Sequence, residues 1–327
     1  MAANRSLLAL VVVLGLLSVV RVSEANWAVS DSLPSLYNSY AAYCDPKYLS
    51  SWSCGFCSHN SGSQFVGFME DWLTSTFGYV TIFNHEIQVV YRGSECIMNW
   101  VDNLNFWWTP YPPVHNAYVH RGFYDAYKTV ASQTRANVAT ALRKCPTCKT
   151  IRVSGHSLGA ALATHAAADL SFVYKPTNTS APGIKLTTFG SPRVGDKVFS
   201  NWLSGQLKSS WRMTHYADPV PHLPPTLHEI NWHHVPTEIF EGSTSSSYKQ
   251  CNGSGEDPSC ADGILLPLNS KDHLTYMGIS VEAGKSNRCQ DKGADCSVFL
   301  AKYANYDWSK LTLESLENVA RESLFAR

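Results

Sequence analysis

Ser157 stands in the run Val153-Ser154-Gly155-His156-Ser157-Leu158-Gly159-Ala160-Ala161-Leu162, between two glycines, where a short apolar strand gives way to an Ala- and Leu-rich helix. A serine on such a turn is a candidate nucleophile. The turn is expected to expose its hydroxyl, and the new helix aims N-terminal N–H groups at it, where they stabilise developing negative charge. Gly155 and Gly159 let strand and helix approach closely, with no Cβ between them. The plainer alternative is a helix N-cap serine. A strand before the motif and a helix after it favour the nucleophile.

A serine hydroxyl is a poor nucleophile near neutral pH, so it needs a histidine to take its proton and a carboxylate to orient that histidine. In a strand-turn-helix site of this kind the chain order is serine, acid, histidine. Asp218 fits the acid, because it follows the strand Arg212 to Tyr216 in the loop Ala217-Asp218-Pro219-Val220-Pro221. Asp196 is more simply a helix N-terminal residue that complements the dipole. The histidine stays open on spacing alone: His222, His228, His233, His234 and His273 all follow Asp218. The segment His228-Glu229-Ile230-Asn231-Trp232-His233 lacks the zinc spacing His-Glu-x-x-His, so no metal site is expected.

The elements that must position these residues alternate along the chain. Tyr79 to Phe83 and Glu86 to Tyr91 predict paired strands turned at Asn84-His85, and Phe123 to Leu142 predicts a helix. The strand Thr150 to Val153 and the helix Leu158 to Phe172 follow, then the strand Ile184 to Phe189, a helix near Asp196 to Leu207, and the strand Arg212 to Tyr216. That alternation predicts an α/β fold with a largely parallel sheet covered by helices. Ligand sites in such sheets lie beyond the carboxyl ends of the strands, where Ser157 falls.

Residues 1–25 read as a secretory signal: Arg5, the apolar run Leu7 to Val20, then Ser23-Glu24-Ala25 at the cleavage point. The run is shorter than the ~20 residues of a spanning helix. Residues 26–327 are then expected to form a single domain, since no Pro/Gly/Ser-rich linker divides them. The chain carries 26 basic and 26 acidic side chains. With no basic cluster, nucleic acid is not the expected partner. All ten cysteines lie beyond the signal, and an even count in a secreted chain predicts disulfides. Cys54-x-x-Cys57 and Cys145-x-x-Cys148 are expected to be local bridges, and Cys251 is expected to join Cys260. Asn178-Thr179-Ser180 and Asn252-Gly253-Ser254 are glycosylation sequons.

Several segments taken together resemble the class 3 lipases, the family of filamentous-fungal triacylglycerol lipases. They are Tyr91-Arg92-Gly93-Ser94, Val119-His120-Arg121-Gly122-Phe123, Gly155-His156-Ser157-Leu158-Gly159, Phe189-Gly190-Ser191-Pro192-Arg193-Val194-Gly195, Ala217-Asp218-Pro219-Val220-Pro221-His222-Leu223-Pro224-Pro225 and Asp272-His273-Leu274-Thr275-Tyr276. They occur in order from about Cys44 to Gly278. The resemblance implies an α/β-hydrolase fold with a short helical lid. It implies His273 as general base, Asp218 as its orienting acid and Ser157 as nucleophile, with His222 structural. It also implies an oxyanion hole from the main-chain N–H groups of Ser94 and Leu158, to which Ser94 can add its hydroxyl.

Immediately after Ser94, Ile97, Trp100, Val101, Leu104 and Trp107 or Trp108 recur at helical spacing, closed by Pro110, Pro112 and Pro113. A core helix is the commoner fate of such a stripe. Its place beside the oxyanion residue resembles the family's mobile lid, and Cys96 departs from the simplest form of that lid. By the same resemblance Cys44 pairs with a cysteine after the catalytic histidine, Cys289 or Cys296. From about residue 290 the tail departs from the short fungal pattern, where Leu313, Leu316, Val319 and Ala320 suggest an added amphipathic helix.

The expected function is therefore a secreted, extracellular serine lipase acting on triacylglycerols through an acyl-enzyme, with interfacial activation. Its chemistry needs no metal or organic cofactor. Its partner is an ester at a lipid-water interface, it has no membrane span, and it is expected to act as a monomer. A phospholipase A1 or a feruloyl-type esterase is the enzymatic alternative. A non-catalytic secreted lipid-binding protein is the alternative of another class.

Overall fold

The computed structural model describes residues 26–94, 106–175, 180–226, 231–244, 246–284 and 289. Eight strands form its central sheet, side by side in chain order: β1 (Gln64–Asp71), β2 (Thr76–Phe83), β3 (Glu86–Tyr91), β4 (Thr150–His156), β5 (Gly183–Phe189), β6 (Ser209–His215), β7 (Glu238–Glu241) and β8 (Tyr248–Gln250). Neighbours from β3 to β7 run parallel, whereas β1–β2, β2–β3 and β7–β8 are antiparallel. The β2–β3 hairpin turns at Asn84 and His85 with φ of 49° and 55°, the left-handed pair that a two-residue type I′ turn requires.

Five helices matter to the site: α1 (Val29–Ala41), α2 (Arg121–Lys144), α3 (Leu158–Val173), α4 (Lys197–Gln206) and α5 (Ser270–Leu274). Successive strand residues point to opposite faces, so β3 feeds two cores. Ile87, Val89 and Tyr91 join Ile151 and Val153 beneath α2 and α3. On the other face Val90 packs with Tyr79, Phe189, Met213 and Ile239 against Leu36 and Tyr40 of α1. A second small sheet joins Trp232–His233, Gly195–Asp196, Tyr118–His120 and Trp108–Pro110.

Disulfides join Cys54 to Cys57, Cys145 to Cys148, Cys251 to Cys260 and Cys44 to Cys289. Of the two partners open to Cys44, Cys289 is the one bonded, so the segment after α1 is tied to the chain beyond His273. Cys96, Cys296, Asn178, residues 1–25 and the tail from 290 lie outside the described residues; Asn252 is exposed. Among the described residues no helix is long and apolar enough to cross a membrane.

Candidate active site

The turn from β4 into α3 forces Ser157 to φ 61° and ψ −130°, a conformation that costs a non-glycine residue free energy and persists only where the surroundings hold it. They do so through Ser157 N–H donating to the Phe189 carbonyl at 2.9 Å and Ala160 N–H donating to the Ser157 carbonyl at 2.9 Å. The flanking glycines are a matter of space: a Cβ on Gly155 would lie 2.2 Å from the Gly159 carbonyl oxygen, and one on Gly159 2.3 Å from that of Tyr91. The expected exposure of the hydroxyl is corrected here, because Ser157 is 0% exposed. Gly93 approaches it so closely that a Cβ there would lie 3.0 Å from the serine Cβ.

His273 and Asp218 arrive from the next elements along the sheet. Asp218 follows β6 in a turn closed by its own N–H to the His215 carbonyl at 2.9 Å. His273 sits on α5, whose N-cap Asn269 accepts from Lys271 N–H. The Nδ1–H of His273 donates to Asp218 at 2.9 Å (Oδ1) and 2.8 Å (Oδ2). Val220 N–H donates to Oδ1 at 2.8 Å, and the Tyr276 hydroxyl makes a short bond to Oδ2. Burial pushes the Asp218 carboxyl upward, yet His273 and these donors outweigh it and hold the pKa below its ordinary value. An ionised Asp218 takes the Nδ1 proton as its donor, which leaves Nε2 as the acceptor of the neutral ring.

That Nε2 and the Ser157 Oγ are both buried, and neither has a hydrogen bond among the described residues. Buried polar atoms are normally satisfied, so two such orphans within one cluster of otherwise paired groups call for an explanation. Unliganded catalytic contacts are commonly loose and tighten with substrate, which gives these two atoms a use.

The other histidines go elsewhere. His222 is pushed down to about 4 by burial and by Arg193. The Nε2–H of His234 donates to the Pro221 carbonyl at 2.7 Å, and that of His233 to the Ser254 carbonyl at 2.8 Å. These residues adjoin two ion pairs, the part-buried Arg193–Glu256 at 2.7 Å and the buried Arg212–Glu238 at 2.9 Å. His228 lies outside the described residues. Asp196 caps α4, accepting from Phe199 N–H at 2.8 Å. Where cysteine sulfurs cluster at metal-ligand distances, as in Cys44, Cys54 and Cys289 or in Glu238, Cys251 and Cys260, they are disulfide sulfurs rather than thiolates.

Tyr91 of β3 pairs with Gly155 of β4, so the chain leaving β3 through Ser94 runs alongside the serine turn, and α3 opens at Leu158 against that same chain, where a Cβ on Gly159 would lie 2.7 Å from the Arg92 carbonyl carbon. Ile97, Trp100, Val101 and Leu104 lie outside the described residues. Trp107 does not continue their helical spacing: it precedes the strand Trp108–Pro110 in irregular chain, 40% exposed, while Phe106 is buried. The reason is pairing, since the Trp107 carbonyl accepts Arg121 N–H at 2.8 Å where the small sheet begins. Tyr276 belongs to the segment Asp272-His273-Leu274-Thr275-Tyr276, yet nothing in the sequence assigns its hydroxyl to Asp218; only the folded chain brings the two together.

A mostly parallel sheet clad in helices, with a serine on a strained strand-to-helix turn at its carboxyl edge, is the α/β-hydrolase architecture. Residues 88–228 match the family described as Lipase (class 3). A lipase of Rhizomucor miehei is 32% identical over 246 residues, spanning 74% of this chain and 66% of that protein. Secreted mono- and diacylglycerol lipase 1 of Fusarium solani is 34% identical over 258 residues, spanning 74% of each. A solved triacylglycerol lipase whose catalytic centre is a serine-protease triad superposes with a TM-score of 0.68 at 28% identity, over 78% of this chain and 97% of that one. This chain belongs to the class 3 lipase family, and carboxylic ester hydrolysis is its reaction class.

Proposed function

We propose that the protein is a secreted triacylglycerol lipase working through Ser157, His273 and Asp218. The observation that carries this reading is the bond from His273 Nδ1 to Asp218 at 2.8 Å, beside a serine on the strained turn. In the proposed reaction Ser157 Oγ attacks the ester carbonyl carbon while His273 Nε2 takes the hydroxyl proton. The oxyanion of the tetrahedral intermediate is held by the N–H groups of Ser94 and Leu158. Collapse breaks the bond to the glycerol oxygen, which leaves with the proton from Nε2. Water, deprotonated by the same nitrogen, then releases the fatty acid and restores the serine.

The choice of a lipid rather than a dissolved ester is supported by the surface. Among the described residues the most exposed large apolar side chains form two pairs, Trp72 at 84% with Leu73, and Leu265 at 84% with Leu266. Trp72 and Leu73 lie in the turn before β2, at the same sheet edge as Ser157, since Arg92 N–H bonds the Phe77 carbonyl at 2.9 Å. Leu265 and Leu266 precede Asn269, whose N–H bonds the Ala217 carbonyl next to Asp218 at 2.9 Å. β4 lies midway between β2 and β6, so the elements that carry the two pairs reach the site from opposite sides of Ser157. Such paired exposure suits contact with an apolar surface.

In this reading the stripe Ile97, Trp100, Val101 and Leu104 is the lid, residues 1–25 are a secretory leader, and the enzyme acts as a monomer. The test is release of fatty acid from emulsified triacylglycerol by the purified protein and by Ser157→Ala. Wild-type turnover that vanishes in the variant is expected. Equal release by both, or by neither, would overturn the proposal.

A further inference from the structure

We infer that Tyr43 and His156 are positioning residues for the reaction: the Tyr43 hydroxyl holds the His156 ring, and that ring holds the backbone of His273. This rests on the ester-hydrolase reading with His273 as the base. His156 is wholly buried, so both its ring nitrogens need partners. Nε2 lies 2.8 Å from the His273 carbonyl oxygen. A carbonyl only accepts, so Nε2 carries the hydrogen and donates. Nδ1 lies 2.8 Å from the Tyr43 hydroxyl. A neutral imidazole has one N–H, so Nδ1 is the acceptor and Tyr43 the donor. Burial, then the neighbouring His273, push the His156 imidazole down to about 3, which keeps it neutral at working pH.

The ring has little freedom to turn, because its centroid lies 5.5 Å from that of Tyr40, 5.9 Å from Tyr43, 6.0 Å from Tyr276 and 4.7 Å from His273. The hydroxyl of Tyr43 has a second neighbour, Gly93, where a Cβ would come within 2.1 Å of it. Gly93 directly precedes Ser94. One hydroxyl thus sits between the segment proposed for the oxyanion hole and the histidine that holds the proposed base. Tyr43 is itself anchored, since the next residue, Cys44, is bonded to Cys289 beyond His273. Asp218 fixes the ring of His273 at Nδ1, and His156 fixes its main chain; together they set where Nε2 points.

The test uses three variants of the full secreted chain and a dissolved short-chain ester. Tyr43→Phe removes one oxygen and is expected to lower kcat about tenfold with KM little changed, the equivalent of one net hydrogen bond. His156→Leu removes the donor to His273 and is expected to lower kcat about a hundredfold, as small displacements of a reacting group do. His156→Gln carries an amide N–H and a carbonyl in place of Nε2 and Nδ1, and is expected to recover most of that loss. The rate of inactivation by an organophosphate should fall in step with kcat, since it reports the same alignment of Oγ and Nε2, which a loss of global stability in a folded variant would leave alone. Should His156→Leu fail to fold, Tyr43→Phe and His156→Gln decide the matter. Tyr43→Phe with kcat and inactivation rate within twofold of wild type would overturn the inference. Activity surviving in Ser157→Ala would instead overturn the reaction on which it rests.

Discussion

At Ser157 the chain accepts backbone strain at a residue that makes no side-chain hydrogen bond among the described residues, an arrangement with no structural benefit of its own. The proposed nucleophilic role gives it a use, and Ser157→Ala is expected to cost on the order of a millionfold in kcat while near-UV circular dichroism stays native. Asp218→Asn should cost about ten thousandfold by stabilising the wrong His273 tautomer. His222→Ala and His234→Ala, measured on folded protein, should keep kcat near wild type, since these side chains belong to the Arg193–Glu256 cluster; a collapse of kcat in His222→Ala would move the base there. Ser157 was legible in the sequence because glycine spacing is a local signal. His273 was not separable from four other histidines by spacing, because what selects it is Asp218, 55 residues away and brought to it only by the sheet. Resemblance to the family supplied what local pattern lacks.

The central elements were readable for a different reason. β3, β4 and β5 are buried on nearly their whole length and carry β-branched or aliphatic residues at Ile87, Val89, Val90, Ile151, Val153, Ile184 and Leu186, and the Asn84-His85 turn carries its own signature. α1 was not readable, because the face it buries mixes Ser32, Ser35, Asn38 and Ser39 with Leu36, Tyr40 and Ala41 and so breaks the apolar stripe; the Asn38 main-chain carbonyl accepts from Tyr79 and its side-chain oxygen from Asn60. Trp107 misled in the opposite direction, fitting a helical stripe while the small sheet claims its backbone. Two predictions belong to elements. Gly155→Ala should cost about 3 kcal/mol or more, read as a fall in melting temperature, because the new methyl meets the backbone of Gly159 rather than a side chain that can yield. Trp100→Ser should weaken the rise in activity at an emulsified ester more than it weakens hydrolysis of a dissolved one, since the lid is proposed to open by exchanging water for lipid against its apolar face. Equal losses on both substrates would return the stripe to the core.

For the molecule as a whole, acid should be the weak side. Burial pushes His156 and His165 from 6.5 down to about 3, and burial with Arg193 takes His222 to about 4. Between those values and 6.5 the unfolded chain binds more protons than the folded one, so stability is fully present above about 6.5 and is lost as pH falls through that window. Asp218 acts in the same sense at lower pH, its depressed carboxyl losing its contribution as it protonates. Melting temperature should therefore drop steadily from pH 7 to pH 4. His165→Leu should flatten the slope, since both ring nitrogens of His165 are buried without a hydrogen bond among the described residues; an unchanged slope would contradict this. Reduction should lower stability before it touches chemistry, most through Cys44–Cys289, whose partners are 245 residues apart; a bridge closing so long a loop is worth on the order of 4 kcal/mol. The most direct test of the whole account is peptide mapping of wild-type protein inactivated by an organophosphate. One adduct on Ser157, accumulating in proportion to the loss of triacylglycerol hydrolysis, is the predicted result. An adduct on another residue, or full activity in protein whose Ser157 is labelled, would contradict it.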